Sequence, residues 1–585
     1  MNITEKAGYP RPDFIRTDWQ SLSGEWEFDF DDNGALEQSF AGGGELFLSR
    51  TIRVPFPYQS PASGIDDQDH HGVMWYRRSF AITSEQLSRT VLLHFGAVDH
   101  DAAVWVNGNY VGGHKGGYTP FAFEISRFLH AGENELLVRC EDTLATDQVR
   151  GKQFWERQPS GCHYVSVSGI WQEVWLEFAG ETYIRQVHFV TDFDDLSVTA
   201  EVELSREFTG SLALRVSKEG SAYCEMEQSV KGKSLRITVN FPDYGYQDPK
   251  KLVWSPANPH LFDAAFSLLD ENDAVIDTVD TYFGFRKIST ACGHVFLNNS
   301  QVYLRMILDQ GYWTEGIYRP VDDDAFRVDV ELTKQLGFNC ARKHQKVEDP
   351  KYYYWADRLG LMVWGELPSF YGFTANARND AANTMREFID RDFNHPCIIA
   401  WVPLNESWGV RHLLGDPRQA DFGRMLYHMC KCEDPSRFVS TNDGWENIFP
   451  TDVVAVHDYR SINDNVKKVY EDPDVLNTGA ARTGHPYLMP GENRGDKPIL
   501  YTEFGGKRLA EDAGWGYDEA IASVEKYLAD MENDVLAVLH IPYMDGFCYT
   551  QLYDTYQETN GLLRMDRTPK ADMDRIRDIF AHARW

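Results

Sequence analysis

The sequence predicts a multidomain protein, two all-β sandwiches followed by a C-terminal (β/α)8 TIM barrel. Three observations carry this. A chain of 585 residues, at roughly 150 per domain, makes about three or four domains. Up to Phe283 the chain holds short aromatic and β-branched runs between turn signals, without helical periodicity. Beyond it, apolar runs alternate with helical patterns, the signature of a parallel barrel.

In chain order, the first domain (residues 1–182) takes its strands from Glu25–Asp29, Gly72–Phe80, Thr90–Phe95, Ala102–Val106, Glu135–Cys140 and Glu173–Phe178. Turns such as Asp32-Asn33-Gly34 and Asn107-Gly108-Asn109 punctuate them. Many short strands of this kind imply a jelly-roll sandwich. Residues 183–286 repeat the theme with Ile184–Val190, Ser197–Leu204, Ser211–Val216, Leu235–Val239 and Ala264–Leu269, the compass of an immunoglobulin-like sandwich. In residues 287–585 the predicted barrel strands are Val302–Leu308, Asn339–Arg342, Leu361–Glu366, Ile398–Leu404, Phe438–Thr441, Val453–His457, Ile499–Glu503 and Gly546–Gln551. The predicted helices are Asp322–Leu336, Pro350–Leu359, Asn383–Asn394 and Tyr517–Glu532.

Composition narrows the function classes. With 57 Lys+Arg against 89 Asp+Glu the formal charge is −32, which argues against nucleic acid or an anionic membrane as partner. No segment has the length of a membrane span, and the N-terminus lacks the apolar stretch of an export signal, so a cytoplasmic protein is expected. Nine cysteines at irregular spacing read as reduced thiols. Cys430 and Cys432 have no second Cys/His pair at metal-binding spacing, and no metal site is expected. Aromatics reach 14%, a core filler that also suits stacking on sugar rings.

In a barrel of this kind, function sits at the C-terminal ends of the strands. The fourth strand runs into Asn405-Glu406-Ser407-Trp408, and the seventh delivers Glu503. A carboxylate straight after a buried apolar run is costly to ionise unless its surroundings are arranged for it. Two such glutamates at one end of a barrel are the equipment for cleaving a glycosidic bond, one as acid/base and one as nucleophile.

Here a resemblance becomes specific. Leu22-Ser23-Gly24-Glu25-Trp26, Trp105-Val106-Asn107-Gly108 and Ser168-Gly169-Ile170-Trp171 resemble the sugar-binding domain of glycoside hydrolase family 2, which holds β-galactosidases, β-glucuronidases and β-mannosidases. Trp254 to Phe262 and Phe283-Gly284-Phe285-Arg286 resemble its immunoglobulin-like domain. Gly337-Phe338-Asn339-Cys340-Ala341-Arg342-Lys343-His344 and His395-Pro396 resemble its barrel, with one residue fewer before His344. The resemblance implies Glu406 as general acid/base, Glu503 as nucleophile and Asn405 on the sugar 2-hydroxyl. It further implies Tyr459 positioning Glu503, Arg342 beneath the carboxylates, His344 facing the −1 sugar and Trp408 beside it. Hydrolysis would proceed by double displacement with retention, without a cofactor, the carboxyl groups standing about 5 Å apart.

Departures bear on the sugar. The sandwich residue expected to reach the barrel falls on His163, and the strand-eight stacking residue on Tyr549. The uronate-binding Asn-x-Lys pair is missing after Glu503, and Asn465-Val466-Lys467 lies before it. No magnesium-binding Glu-x-His element follows Glu366-Leu367-Pro368. The reading is an exo-acting retaining glycosidase, β-galactosidase-like by default, with α-L-arabinosidase, β-glucuronidase and β-mannosidase as alternatives. Lys343, Lys346 and Lys507-Arg508 keep acidic sugars open. A carbohydrate-binding protein without turnover is the reading from another class, and a homodimer is what the resemblance implies for assembly.

Overall fold

The structure, a computed structural model, describes residues 6–241, 252–460 and 466–582. In the first sandwich a six-stranded antiparallel sheet faces a four-stranded one. The larger has the order Arg50–Val54, Gly24–Phe30, Val73–Ile82, Gly132–Glu141, Asp101–Val106, Asn109–Lys115; the smaller, Phe121–Glu124, Thr90–Phe95, Val174–Ala179, Trp19–Ser21. Alternation along the strands sends Trp26, Phe28, Tyr76 and Val138 from one sheet into a shared core with Leu93, Phe95, Leu176 and Phe178 from the other.

In the second sandwich the runs at Ser197–Leu204 and Ser211–Val216 belong to one 22-residue strand, Ser197–Lys218, whose register shifts between Glu203 and Phe208. Its first half pairs with Ile184–Asp192 and its second with Phe262–Leu269. The Phe189 and Phe283 rings meet at 4.9 Å from non-adjacent strands, so the sheet folds over its own core. Phe14–Ile15 pairs with Val275–Phe283, so a piece of the N-terminal segment edges the second sandwich. Two residues are too short a run to carry a strand signal.

All eight barrel strands fall where the apolar runs lie: Leu304–Asp309, Cys340–Lys343, Met362–Glu366, Ile398–Val402, Phe438–Val439, Val454–His457, Ile499–Gly505 and Met544–Thr550. They pair in parallel in the order five-four-three-two-one-eight-seven-six. Between strands five and six no ladder forms among the described residues; His457 N–H instead donates to the Gly444 carbonyl at 3.0 Å.

Helices follow the sequence less closely. Asp324–Gln335 and Pro350–Leu359 lie as expected. Ala375–Asp392 begins earlier than the apolar pattern does, because the Thr374 hydroxyl accepts from Ala377 N–H and caps it there. Val524–Leu539 begins later, capped by Ser523, which leaves Tyr517 on a loop. Pro417–Glu433 and Met573–Phe580 were not expected, although Asp416 before Pro417 and Asp572 mark their starts. Cys430 and Cys432 sit on the first of these, one buried and one exposed, so they do not face a common ion. All nine cysteines are free. No described helix is long and apolar enough to cross a membrane.

Candidate active site

Glu406 leaves the fourth strand through a turn in which Glu406 and Ser407 both have left-handed backbone, φ 50° and 59°. Such conformations cost roughly 1–3 kcal/mol each for non-glycine residues and persist only where the surroundings hold them. Here the strand-five loop holds them: Glu406 N–H donates to the Asp443 carbonyl at 2.8 Å, and Ser407 N–H to Asn442 Oδ1 at 3.0 Å. Glu503 is an inward position of the seventh strand and 4% exposed. Carboxylate oxygens of Glu406 and Glu503 and one His457 nitrogen lie within 4.8 Å of one another.

Beneath them Arg342, fully buried on strand two, spends its guanidinium on strands three and seven and the turn after strand four. It donates to Glu366 Oε2 at 2.8 Å, Glu503 Oε1 at 2.9 Å, the Thr502 carbonyl at 3.3 Å and Asn405 Oδ1 at 2.7 Å. Tyr459 Oη donates to Glu503 Oε2 at 2.6 Å, and its ring stacks on Tyr517 at 3.5 Å. Burial alone would raise the Glu503 carboxyl, but the His457 and Arg342 charges and the Tyr459 hydrogen bond hold it below its ordinary value. It stands ionised. Burial pushes Glu366 up to about 7 in spite of Arg342.

His457, Asp443 and Glu366 were not singled out in the sequence. His457 Nδ1 lies 2.8 Å from Glu406 Oε1, and Nε2 lies 2.8 Å from Asp443 Oδ1. The Arg342 guanidinium also comes within 3.2 Å of Nε2, so the ring stands between two carboxylates and one cation. Burial would lower its pKa, but Glu503, Asp443 and Glu406 push it up to about 9. A signal existed: His457 ends an apolar barrel strand, as Glu503 does.

The other predicted residues divide. His344 is buried, 3.1 Å from Glu366 Oε1, and burial with the Lys152 and Arg342 charges keeps it neutral. His163 does reach the mouth. Its ring stacks on Trp408 at 5.1 Å, its Nε2 lies 3.1 Å from Tyr371 Oη, and burial beside Lys152 and Arg411 holds it at about 3, hence neutral. Tyr549 is a correction. Its ring packs on Phe580 of the C-terminal helix at 5.0 Å, on the outside of the barrel. The next residue faces inward: Thr550 Oγ1 lies 3.0 Å from Tyr459 Oη. Strand periodicity is two, so an offset of one residue reverses the face. The cations expected near the pocket are also engaged elsewhere. Lys343 pairs with Asp309 and Glu348, Lys346 with Glu348, and Lys507 with Asp518 and Asp534, while Arg508 donates to the Asp512 carbonyl. Trp401 is buried against Phe388 of the helix layer. Asn465 lies outside the residues described, and Lys467 falls on the short helix Val466–Val469.

One wall of the mouth comes from the first sandwich. Arg150 and Gly151 N–H both donate to the Ser369 carbonyl at 2.9 Å, Tyr371 Oη donates to the Gly151 carbonyl at 2.5 Å, and Trp515 Nε1 to the Gly161 carbonyl at 2.9 Å. Gly151 has φ +61°, and a Cβ there would stand 2.2 Å from the Gln345 carbonyl oxygen, so this approach requires glycine.

Among the described residues, two clusters have metal-compatible donors. In one, His395 Nδ1 and Cys397 N–H are spent on Asp357, at 2.6 and 2.8 Å. The other is Glu406, His457 and Glu503, where the Arg342 guanidinium lies 3.2 Å from His457 Nε2.

Two facing carboxyl groups in a barrel mouth are the arrangement that glycoside hydrolases use. The chain belongs to glycosyl hydrolases family 2: the family's sugar-binding domain matches residues 19–178, its central domain 182–286 and its TIM-barrel domain 290–584. It is 28% identical to a β-galactosidase of Thermoanaerobacter pseudethanolicus, over 67% of this chain and 51% of that one. The chain thus spans about half the length of that relative. It is 24% identical to a β-glucuronidase of Paenibacillus borealis, over 89% of this chain and 88% of that one. Among solved structures, a β-glucuronidase of Bifidobacterium dentium shares the fold with a TM-score of 0.80 at 21% identity, over 97% of each chain.

Proposed function

We propose that the protein is an exo-acting retaining glycoside hydrolase, with Glu503 as nucleophile and Glu406 as general acid/base. The observation that carries this is the approach of the two carboxylates to within 4.8 Å. Retaining pairs stand about 5–5.5 Å apart, whereas inverting pairs leave room for water at about 6.5–9.5 Å. Glu503, ionised and held by Arg342 and Tyr459, attacks the anomeric carbon as Glu406 protonates the departing glycosidic oxygen. Water then enters, Glu406 takes its proton, and the ester to Glu503 is cleaved with net retention. Asn405, whose Oδ1 is committed to Arg342, turns its amide N–H toward the 2-hydroxyl, a contact that strengthens in the transition state. The sandwich wall at Gly151–His163 supports exo action, since it closes one side of the mouth.

No step calls for a metal or cofactor. A cytoplasmic location and a homodimer remain part of this reading. Glu503→Gln decides it: turnover on a panel of nitrophenyl glycosides should fall by about 10³-fold or more, as for loss of a covalent nucleophile. Undiminished turnover on the cleaved glycosides would sink the proposal. Sugar binding without hydrolysis by the wild-type chain would favour a lectin.

A further inference from the structure

Among the described residues six lysines are buried, and the structure treats one of them differently. Lys343, Lys346, Lys351, Lys507 and Lys570 each reach one or more carboxylates. Lys152 is 5% exposed, yet among the described residues its ammonium has no carboxylate within ion-pair distance and no hydrogen-bond acceptor. Its recorded contact is the face of Trp408, 4.5 Å from Nζ to the ring centroid. Trp408 follows Glu406 by two residues, so the charge stands in the barrel mouth.

The backbone that presents it is fixed on both sides. Gly151 is held to Ser369 and Tyr371 of the barrel, and the Lys152 carbonyl accepts from Tyr164 N–H at 2.8 Å. Burial alone would lower the Lys152 pKa, but the Cys162 thiol and the charges of Glu558, Glu503 and Glu406 outweigh it and keep the ammonium charged. An unpaired buried charge is expensive. A preorganised one, opening on a substrate pocket, is a place for a complementary charge.

We propose that Lys152, delivered into the barrel mouth by the first sandwich, receives the carboxylate of a uronic acid in the −1 subsite. This rests on the retaining-glycosidase reading and names its substrate class as uronides. A single ammonium among three acidic side chains suits a singly charged group and repels a dianion such as a phosphate ester. A C6 carboxylate also replaces the hydroxymethyl group without enlarging the sugar. Lys152 also overrides, locally, the repulsion of a −32 chain.

The test compares matched 4-nitrophenyl glycosides on the full chain: β-D-glucuronide against β-D-glucoside, and β-D-galacturonide against β-D-galactoside. The uronide should be preferred in at least one pair, which also identifies the C4 configuration accepted. Lys152→Met should lose about 100-fold in kcat/KM on that uronide, chiefly through KM, and less than tenfold on its neutral partner; Lys152→Arg should recover part of the loss. Independently of any variant, the free uronic acid should inhibit the wild-type enzyme more tightly than its neutral parent sugar. Preference for the neutral glycoside in both pairs overturns the proposal. So does a Lys152→Met loss equal on both members, which would make Lys152 a tuner of Glu406 and Glu503. In either case turnover continues and the glycosidase reading stands; that reading falls only if Glu503→Gln leaves turnover intact or no glycoside is cleaved.

Discussion

Replacing Tyr459 by Phe removes one oxygen from the site and little else. The ring keeps its stack on Tyr517 at 3.5 Å and 3°, and Thr550, the other partner of the hydroxyl, can rotate its own to a new acceptor. What is lost is the 2.6 Å donation to Glu503 Oε2. A hydrogen bond to a charged group is worth about 1.5–3 kcal/mol, and about 1.4 kcal/mol is one decade in rate or one pKa unit. Glu503 is held below its ordinary pKa by His457, Arg342 and this bond against the pull of burial. Without the bond it rises, and a nucleophile must be ionised to attack. The acidic limb of the kcat/KM–pH profile should therefore move to higher pH, and kcat/KM at the optimum should fall by about 10- to 100-fold. Initial rates on a cleaved nitrophenyl glycoside across pH 4–9 measure both, with thermal melting as the check on folding. A variant within twofold of wild type, with its acidic limb unmoved, would refute the assignment of Tyr459 as the residue that poises Glu503.

Arg342→Met leaves Glu366 and Glu503 buried without their counter-charge, which costs about 3–5 kcal/mol. Chemical denaturation should show that loss together with abolished turnover, and Arg342→Lys should not restore it, since one ammonium cannot reach Glu366, Glu503 and Asn405 together. His457 has a folded pKa raised to about 9 above an ordinary value of about 6.5. Its stabilisation is fully present below pH 6.5 and lost as pH rises through 9. His457→Gln should therefore lower the melting temperature most near pH 6 and progressively less toward pH 10; a pH-independent difference would show that the ring is neutral in the folded protein.

The sequence by itself determined what depends on local pattern. Apolar runs of strand length placed all eight barrel strands, because burial on both faces demands them whatever the neighbours are. Glu406 and Glu503 were legible for the complementary reason, a charge where such a run should continue into a loop. Arg342, Asn405 and Tyr459 came with them through family likeness; Arg342 and Tyr459 hydrogen-bond Glu503, and Arg342 also holds Asn405. Position along a strand was harder: Tyr549 and Thr550 differ by one residue and point to opposite sides of the wall, and only the observed register decides which faces inward. Two helix starts also escaped, because Thr374 and Ser523 act through single hydrogen bonds that leave no periodic trace. The tertiary structure alone decided the charge state of the mouth. Lys343, Lys346 and Lys507 read as available cations, and each has carboxylates brought to it from distant parts of the chain. Lys152 carried no mark in the sequence, for its distinction is the absence of a partner. A residue's partners are set by the packing of whole domains, and electrostatic free energy depends on what stands within a few ångströms in space, wherever it falls along the chain.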